Sequence, residues 1–120
     1  MSGTQQDSPG RMVAPMKRFE IWLTRLDPAE GSEMRKTRPA VIVSPDEMND
    51  RLHTVLVAPL TSGGFAAPFR VSCQFAGVNG QIALDHLRSL AKSRCLRRLD
   101  RLDVKVCAEL SKQLQEMFRF

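Results

Sequence analysis

A chain of 120 residues with 42% hydrophobic content has material for one core and none for a second independent domain. Its formal charge of +5 favours a polyanionic partner over a cationic one, though the charge alone does not single out nucleic acid. The longest apolar runs, 39–43 and 54–60, are too short to span a bilayer, and the N-terminus lacks the basic-then-apolar order of a secretory signal, so a soluble cytoplasmic protein with no membrane attachment is expected.

Residues 1–15 are rich in Ser, Gly, Gln and Pro without apolar periodicity, and read as a disordered leader or an expression remnant. Met16 can then be the natural start of a single domain over 16–120. Phe19 to Leu26 partly alternates apolar with polar residues, which predicts a first strand broken by Asp27-Pro28. Ala29 to Thr37, with Gly31, Glu33, Arg35 and Lys36, has neither helix nor strand periodicity and reads as a charged loop. Val41-Ile42-Val43 fits a buried strand, ended by Ser44-Pro45-Asp46, and a short helix can run to Arg51.

Thr54 to Leu60 predicts a third strand. Pro59 near its end implies an edge or a bulge, since proline cannot donate to the ladder. Thr61-Ser62-Gly63-Gly64 reads as a flexible turn. In the fourth strand, Phe69 to Phe75, the residues Phe69, Val71, Cys73 and Phe75 point one way; Gly77 to Gly80 turns the chain into a fifth, Gln81 to Leu84. After Leu90 the period changes. Residues 86–105 hold seven Lys or Arg against two Asp, and Arg94 to Arg101 reads first as the wet face of a helical segment, with RNA contact the lesser reading. Val106, Leu110, Leu114 and Met117 then recur at helical spacing behind an Asp103 cap. Five or more short strands followed by a terminal α-helix predict a mainly β fold, a small bent sheet or barrel without βαβ units or repeats.

Familiar catalytic devices are missing: there is no P-loop, no G-x-S-x-G elbow, no H-E-x-x-H and no G-x-G-x-x-G. Cys73, Cys95 and Cys107 form no C-x-x-C pair and are expected to be buried or idle thiols. His53 and His86 lie far from them in ligand spacing, so no metal and no cofactor is expected.

What remains are polar groups near predicted strand ends: Glu33 and Arg38, Thr61 and Ser62, Asp85 and Arg88. Loops at one end of a small barrel can converge on a cleft. These residue types suit phosphodiester transfer, which needs a fixed positive fork, a group for the 2′-hydroxyl proton and a donor near the leaving oxygen. Arg38 is the natural phosphate clamp, Thr61 can bond a phosphate oxygen and Glu33 can act as base. On pattern alone the plainer assignments come first: Arg38 a solvated loop charge, Thr61-Ser62 turn formers, Glu33 and Asp85 surface carboxylates, Trp22 a core residue.

Lys17-Arg18-Phe19-Glu20-Ile21-Trp22-Leu23, Leu26-Asp27-Pro28, Gly31-Ser32-Glu33 and Arg38-Pro39-Ala40-Val41-Ile42-Val43-Ser44 resemble the N-terminal half of the MazF/PemK family. Val57-Ala58-Pro59-Leu60-Thr61-Ser62, Pro68-Phe69-Arg70-Val71 and Asp85-His86-Leu87-Arg88-Ser89-Leu90 continue the similarity in order, over about residues 16–118. The resemblance implies an SH3-like barrel of the CcdB/PemK type and a homodimer with single-stranded RNA in a groove across its interface. It also implies a metal-independent endoribonuclease, an mRNA interferase cutting by 2′-hydroxyl attack, whose cognate antitoxin lays an acidic C-terminal segment in the same groove. By resemblance Arg38 and Thr61 match the family's main catalytic pair and Glu33 its G-S-E carboxylate. Lys36, Ser62, Asp85 and Arg88 are expected to contact RNA.

Three departures stand out. Phe19 replaces a glycine usual after Lys-Arg, His86 replaces the usual Gln, and Ala83 stands where PemK-like relatives carry arginine, which would leave that arginine's duty to Arg38. The competing expectations are a non-enzymatic gyrase poison like the CcdB relatives and an inactive barrel that binds peptides. The G-S-E, R-P and T-S blocks, which a poison does not need, argue against the first.

Overall fold

The structure, a computed structural model, describes residues 15–26, 37–62 and 66–120. Its elements in chain order are β1 (Glu20–Thr24), β2 (Arg38–Ile42), α1 (Asp46–Arg51), β3 (Thr54–Ser62), β4 (Arg70–Phe75), β5 (Val78–Ala83), β6 (Arg88–Ala91), β7 (Cys95–Arg101) and α2 (Val104–Met117). Single 3-10 turns, Leu84–His86 and Lys92–Arg94, flank β6. The expected leader falls outside the described residues except for Pro15, and the 29–37 loop except for Thr37.

All strand pairings are antiparallel, and the seven strands run β4-β5-β3-β2-β1-β7, with β6 also on β3. The fold is mainly β with a C-terminal helix, as the pattern predicted, in the SH3-like form that the resemblance implies.

Alternation along the strands fills both faces of the sheet, because successive side chains point to opposite sides. Ile21, Val41, Ala58, Leu60, Val71, Ile82 and Leu110 join one buried cluster, so this face lies under α2. Trp22, Ala40, Ile42, Val55, Val57 and Leu90 form the other. Each large aliphatic chain buried there contributes about 1.5–3 kcal/mol. Helix α2 begins as expected: the Asp103 carboxylate accepts from the backbone N–H of Val106 at 3.0 Å, and Leu110 is fully buried. Among the described residues no helix is long and apolar enough to cross a membrane.

Four expectations are corrected. Strand β3 extends to Ser62, so Thr61 and Ser62 are strand residues and not turn formers. Pro59 marks neither an edge nor a bulge. Val57 pairs with Ile42 on one flank and Arg88 on the other, whereas Leu60 to Ser62 pair with β5. The Leu56 carbonyl accepts from Val43 N on the β2 side, so the backbone of Pro59, an odd number of residues on, faces the gap where β3 exchanges β6 for β5. A missing N–H costs no ladder bond there.

The β4–β5 turn is Ala76-Gly77, both at positive φ (55° and 77°), a two-residue hairpin turn of the I′ kind, and β5 already starts at Val78. Finally, the basic stretch 94–101 is not helical: most of it is β7, paired along β1.

Phe19 illustrates one of the departures noted above. Its φ of +73° lies in the left-handed region where glycine is at ease, and its backbone is held there by bonds from Phe19 N to the Ile42 carbonyl and from Leu102 N to the Phe19 carbonyl. The ring packs against the α2-side core, and the Arg18 guanidinium stacks over it at 5.1 Å. These contacts offset a strain of about 1 kcal/mol.

Candidate active site

The site is assembled by strand register. Residues directly opposite in adjacent strands share a face, with Cβ atoms about 5 Å apart. The β2–β3 ladder ends with Ala40 opposite Pro59, two residues short of Arg38 on one strand and of Thr61 on the other. Thr61 in turn pairs with Gln81, and Gln81 with Ser72. One row, Thr61, Gln81, Ser72, therefore crosses three strands on one face, and Arg38 starts the neighbouring β2.

Arg38 and Thr61 line a single cleft of about 580 Å³, together with Thr37, Pro39, Leu60, Ser62, Cys73 and residues of the β4–β5 hairpin. That size suits a nucleotide-scale ligand.

Each of the two side chains is fixed by its backbone and free at its tip. The carbonyl of Arg38 accepts a 2.8 Å bond from the hydroxyl of Thr24, which is fully buried at the end of β1. The guanidinium itself is exposed and has no carboxylate partner among the described residues. The Thr61 hydroxyl makes only a long 3.5 Å contact to the Gln81 carbonyl, which leaves it able to bond a ligand.

Thr61 is placed by close backbone approach. A Cβ on Gly80 would lie 2.7 Å from the Thr61 carbonyl oxygen, so only glycine lets β5 come this near. Cys73 sits in the cleft wall as a buried thiol with its pKa pushed up by burial, a packing role.

Of the other expected residues, one joins this cleft. Ser62 lines the cleft. Glu33 and Lys36 lie outside the described residues. Arg88 pairs with Val57, and its Nη1 donates 2.7 Å to the Leu26 carbonyl, a scaffold contact that ties β6 to the exit of β1. Arg94 makes the equivalent bond to the Arg25 carbonyl at 2.9 Å.

Asp85 is engaged side-on by Arg70, Nε to Oδ1 at 2.7 Å and Nη2 to Oδ2 at 2.9 Å. That hydrogen-bonded guanidinium, more than any other group, holds the Asp85 carboxyl below its usual pKa, so it is ionised at neutral pH.

Sequence reasoning passed over Arg70. It pairs across the strands with Ala83, the position where the resemblance calls for arginine, and its Nη1 lies 3.5 Å from Gln81 Oε1. A second guanidinium therefore reaches this face from β4 and not from position 83, and Arg38 is not the only arginine there. The one signal available was its place in an alternating strand, on the face opposite Val71.

A bent seven-stranded sheet closed by a C-terminal helix, with an arginine and a threonine sharing a cleft at one end, defines a small β-barrel protein with a polar, anion-suited site. A match to the PemK-like, MazF-like toxins of type II toxin–antitoxin systems spans residues 17–118, and the chain belongs to that family. It is 39% identical over 106 residues to Endoribonuclease PemK of Escherichia coli, covering 83% of this chain and 80% of that protein. To Endoribonuclease MazF9 of Mycobacterium tuberculosis it is 38% identical over 110 residues, covering 83% and 93%. Among solved structures, a MazE–MazF crystal structure from Deinococcus radiodurans superposes with a TM-score of 0.75 at 28% identity, covering 88% of this chain and 96% of that one.

Proposed function

We propose that the chain is a sequence-specific endoribonuclease, the toxin half of a toxin–antitoxin pair, which cuts single-stranded mRNA without a metal by attack of the RNA's own 2′-hydroxyl. The observation that carries this is that Arg38 and Thr61, from two different strands, line one cleft.

In the reaction the 2′-oxygen attacks the adjacent phosphorus and the bond to the 5′-oxygen breaks; that oxygen takes a proton from water, and the products are a 2′,3′-cyclic phosphate and a 5′-hydroxyl. Charge grows on the non-bridging oxygens as this happens. Arg38, permanently charged and forked, binds two of those oxygens, and the Thr61 hydroxyl donates to a phosphate oxygen. Glu33 takes the 2′-proton. Ser62, which lines the cleft, and Lys36 hold the flanking chain.

Arg88 and Asp85 were expected at the RNA. The bond of Arg88 to the Leu26 carbonyl and that of Asp85 to Arg70 favour supporting roles for both. The relatives named endoribonucleases support the enzymatic reading over a gyrase poison. The MazE–MazF complexes support an antitoxin partner, for which an acidic segment is the complementary chemistry to a +5 chain. The working unit is a cytoplasmic homodimer.

Purified protein incubated with a long single-stranded RNA in excess EDTA tests this. Discrete fragments with 5′-hydroxyl ends are expected, and Arg38→Ala should cut at least about 100-fold more slowly with an unchanged circular dichroism spectrum. Wild-type cutting by that variant would remove Arg38 from the mechanism; gyrase-dependent DNA breaks without RNA cleavage would replace the reading.

A further inference from the structure

Arginine carries five N–H donors, and Arg70 commits its Nε–Nη2 edge to Asp85. Among the described residues, the end-on edge, formed by Nη1 and the second hydrogen of Nη2, keeps only a loose 3.5 Å contact to Gln81. The side chain is 21% exposed and lies on the same face as Thr61, two strand spacings across and two residues along, or roughly 12 Å away.

A guanidinium in this state is a poor phosphate clamp, because its charge is already met by a carboxylate. It is a good reader of shape, because that carboxylate fixes the direction of its remaining fork.

We infer that Arg70, buttressed by Asp85, reads one base of the RNA beside the scissile phosphate and selects a base with two neighbouring acceptors on one edge. Guanine offers O6 and N7; cytosine offers O2 and N3 on the edge that single-stranded RNA leaves open. Adenine and uracil alternate donor and acceptor along the corresponding edges and cannot satisfy both arms. The inference rests on the RNA reading proposed above and assigns the specificity element of that site. Arg38 grips phosphate regardless of sequence; Arg70 distinguishes bases.

The test separates the two readings by measuring binding. An RNA pool with a random seven-nucleotide window, made uncleavable by 2′-fluoro substitution, is partitioned on the wild-type protein and on Arg70→Met, Arg70→Lys and Asp85→Asn, each checked for an unchanged circular dichroism spectrum. The wild type should enrich guanine or cytosine about 5-fold or more at one position of the window. Arg70→Met should abolish that enrichment, Arg70→Lys should abolish it despite keeping the charge, and Asp85→Asn should weaken it at the same position. The inference is overturned if the wild type shows no such position, if the enrichment survives in both Arg70 variants, or if those variants lose all sequences equally, which is the mark of a phosphate contact. Failure of the wild type to cut unmodified RNA counts against the endonuclease alone and leaves the partition result to decide Arg70.

Discussion

Replacing Gly80 with alanine tests whether the closeness of β5 to β3 sets the position of Thr61. The added methyl would lie 2.7 Å from the Thr61 carbonyl oxygen, against a backbone atom that cannot rotate aside. To reach ordinary contact the two strands must part by roughly 0.5–1 Å. Overpacking of this kind costs about 1–3 kcal/mol of stability. The catalytic cost is separate: a misplacement of about 1 Å can lower rates on the order of 100-fold, so Gly80→Ala should reduce single-turnover cleavage by about 10-fold or more. Gly77→Ala is the control. At φ +77° its backbone is strained by a side chain, but nothing lies within 4 Å of the new methyl, so it should lose about 1 kcal/mol with its cleavage rate intact. Single-turnover kinetics on a fluorescent RNA, beside thermal melts, read both quantities. If Gly80→Ala melts like Gly77→Ala yet cuts at the wild-type rate, the close approach of β5 does not set the position of Thr61.

Other substitutions probe the scaffold. Glu20 is buried and accepts from Lys17 N, Trp22 Nε1 and Arg98 Nε, each at 3.0 Å, so Glu20→Ala breaks three bonds and leaves the buried Trp22 N–H unmet; a loss of about 2–4 kcal/mol and a melting temperature lower by roughly 10 °C are expected. The Asp85 carboxyl, its pKa lowered by Arg70, adds stability at neutral pH that is lost as pH falls through its folded value, below the ordinary 3.8. Asp85→Asn should therefore flatten the acid limb of a plot of melting temperature against pH, by a modest amount because the pair is partly exposed. Cys95 is 8% exposed with its thiol pushed up to about 11 by burial, so a thiol reagent at pH 8 should leave it unlabelled until the protein unfolds.

Much of the fold was legible because its elements follow simple periods. Strand β4 alternates without interruption, and α2 carries both a capping Asp103 and a repeat of apolar residues. Strand β7 does neither. It is the terminal strand of the sheet path, its register with β1 shifts between Ile21 and Trp22 and again between Leu23 and Thr24, and these irregularities erase the two-residue alternation. What is left, Leu96, Leu99 and Leu102 at intervals of three, imitates a helix. Pro59 misled for another reason: a proline excludes a ladder bond on one flank, and one sequence does not show that two strands divide that flank with a gap between them.

For the candidate site, Arg38, Thr61 and Ser62 stood out in blocks of sequence, and the fold brings all three to one cleft. Arg70 did not, because its meaning lies in the strand opposite. Only pairing with Ala83 and contact with Asp85 distinguish it from any charged residue on the open face of a strand.

The claim on which the account depends is that the RNA supplies its own nucleophile to a phosphate held by Arg38 and Thr61. Once a cleavage site has been mapped, a short RNA spanning it is made with a single 2′-deoxy sugar on the 5′ side of the scissile bond. The account predicts that this RNA still competes with its all-ribose counterpart for binding but remains intact under conditions in which the counterpart is fully cut. Cleavage of the 2′-deoxy strand at that bond would contradict it.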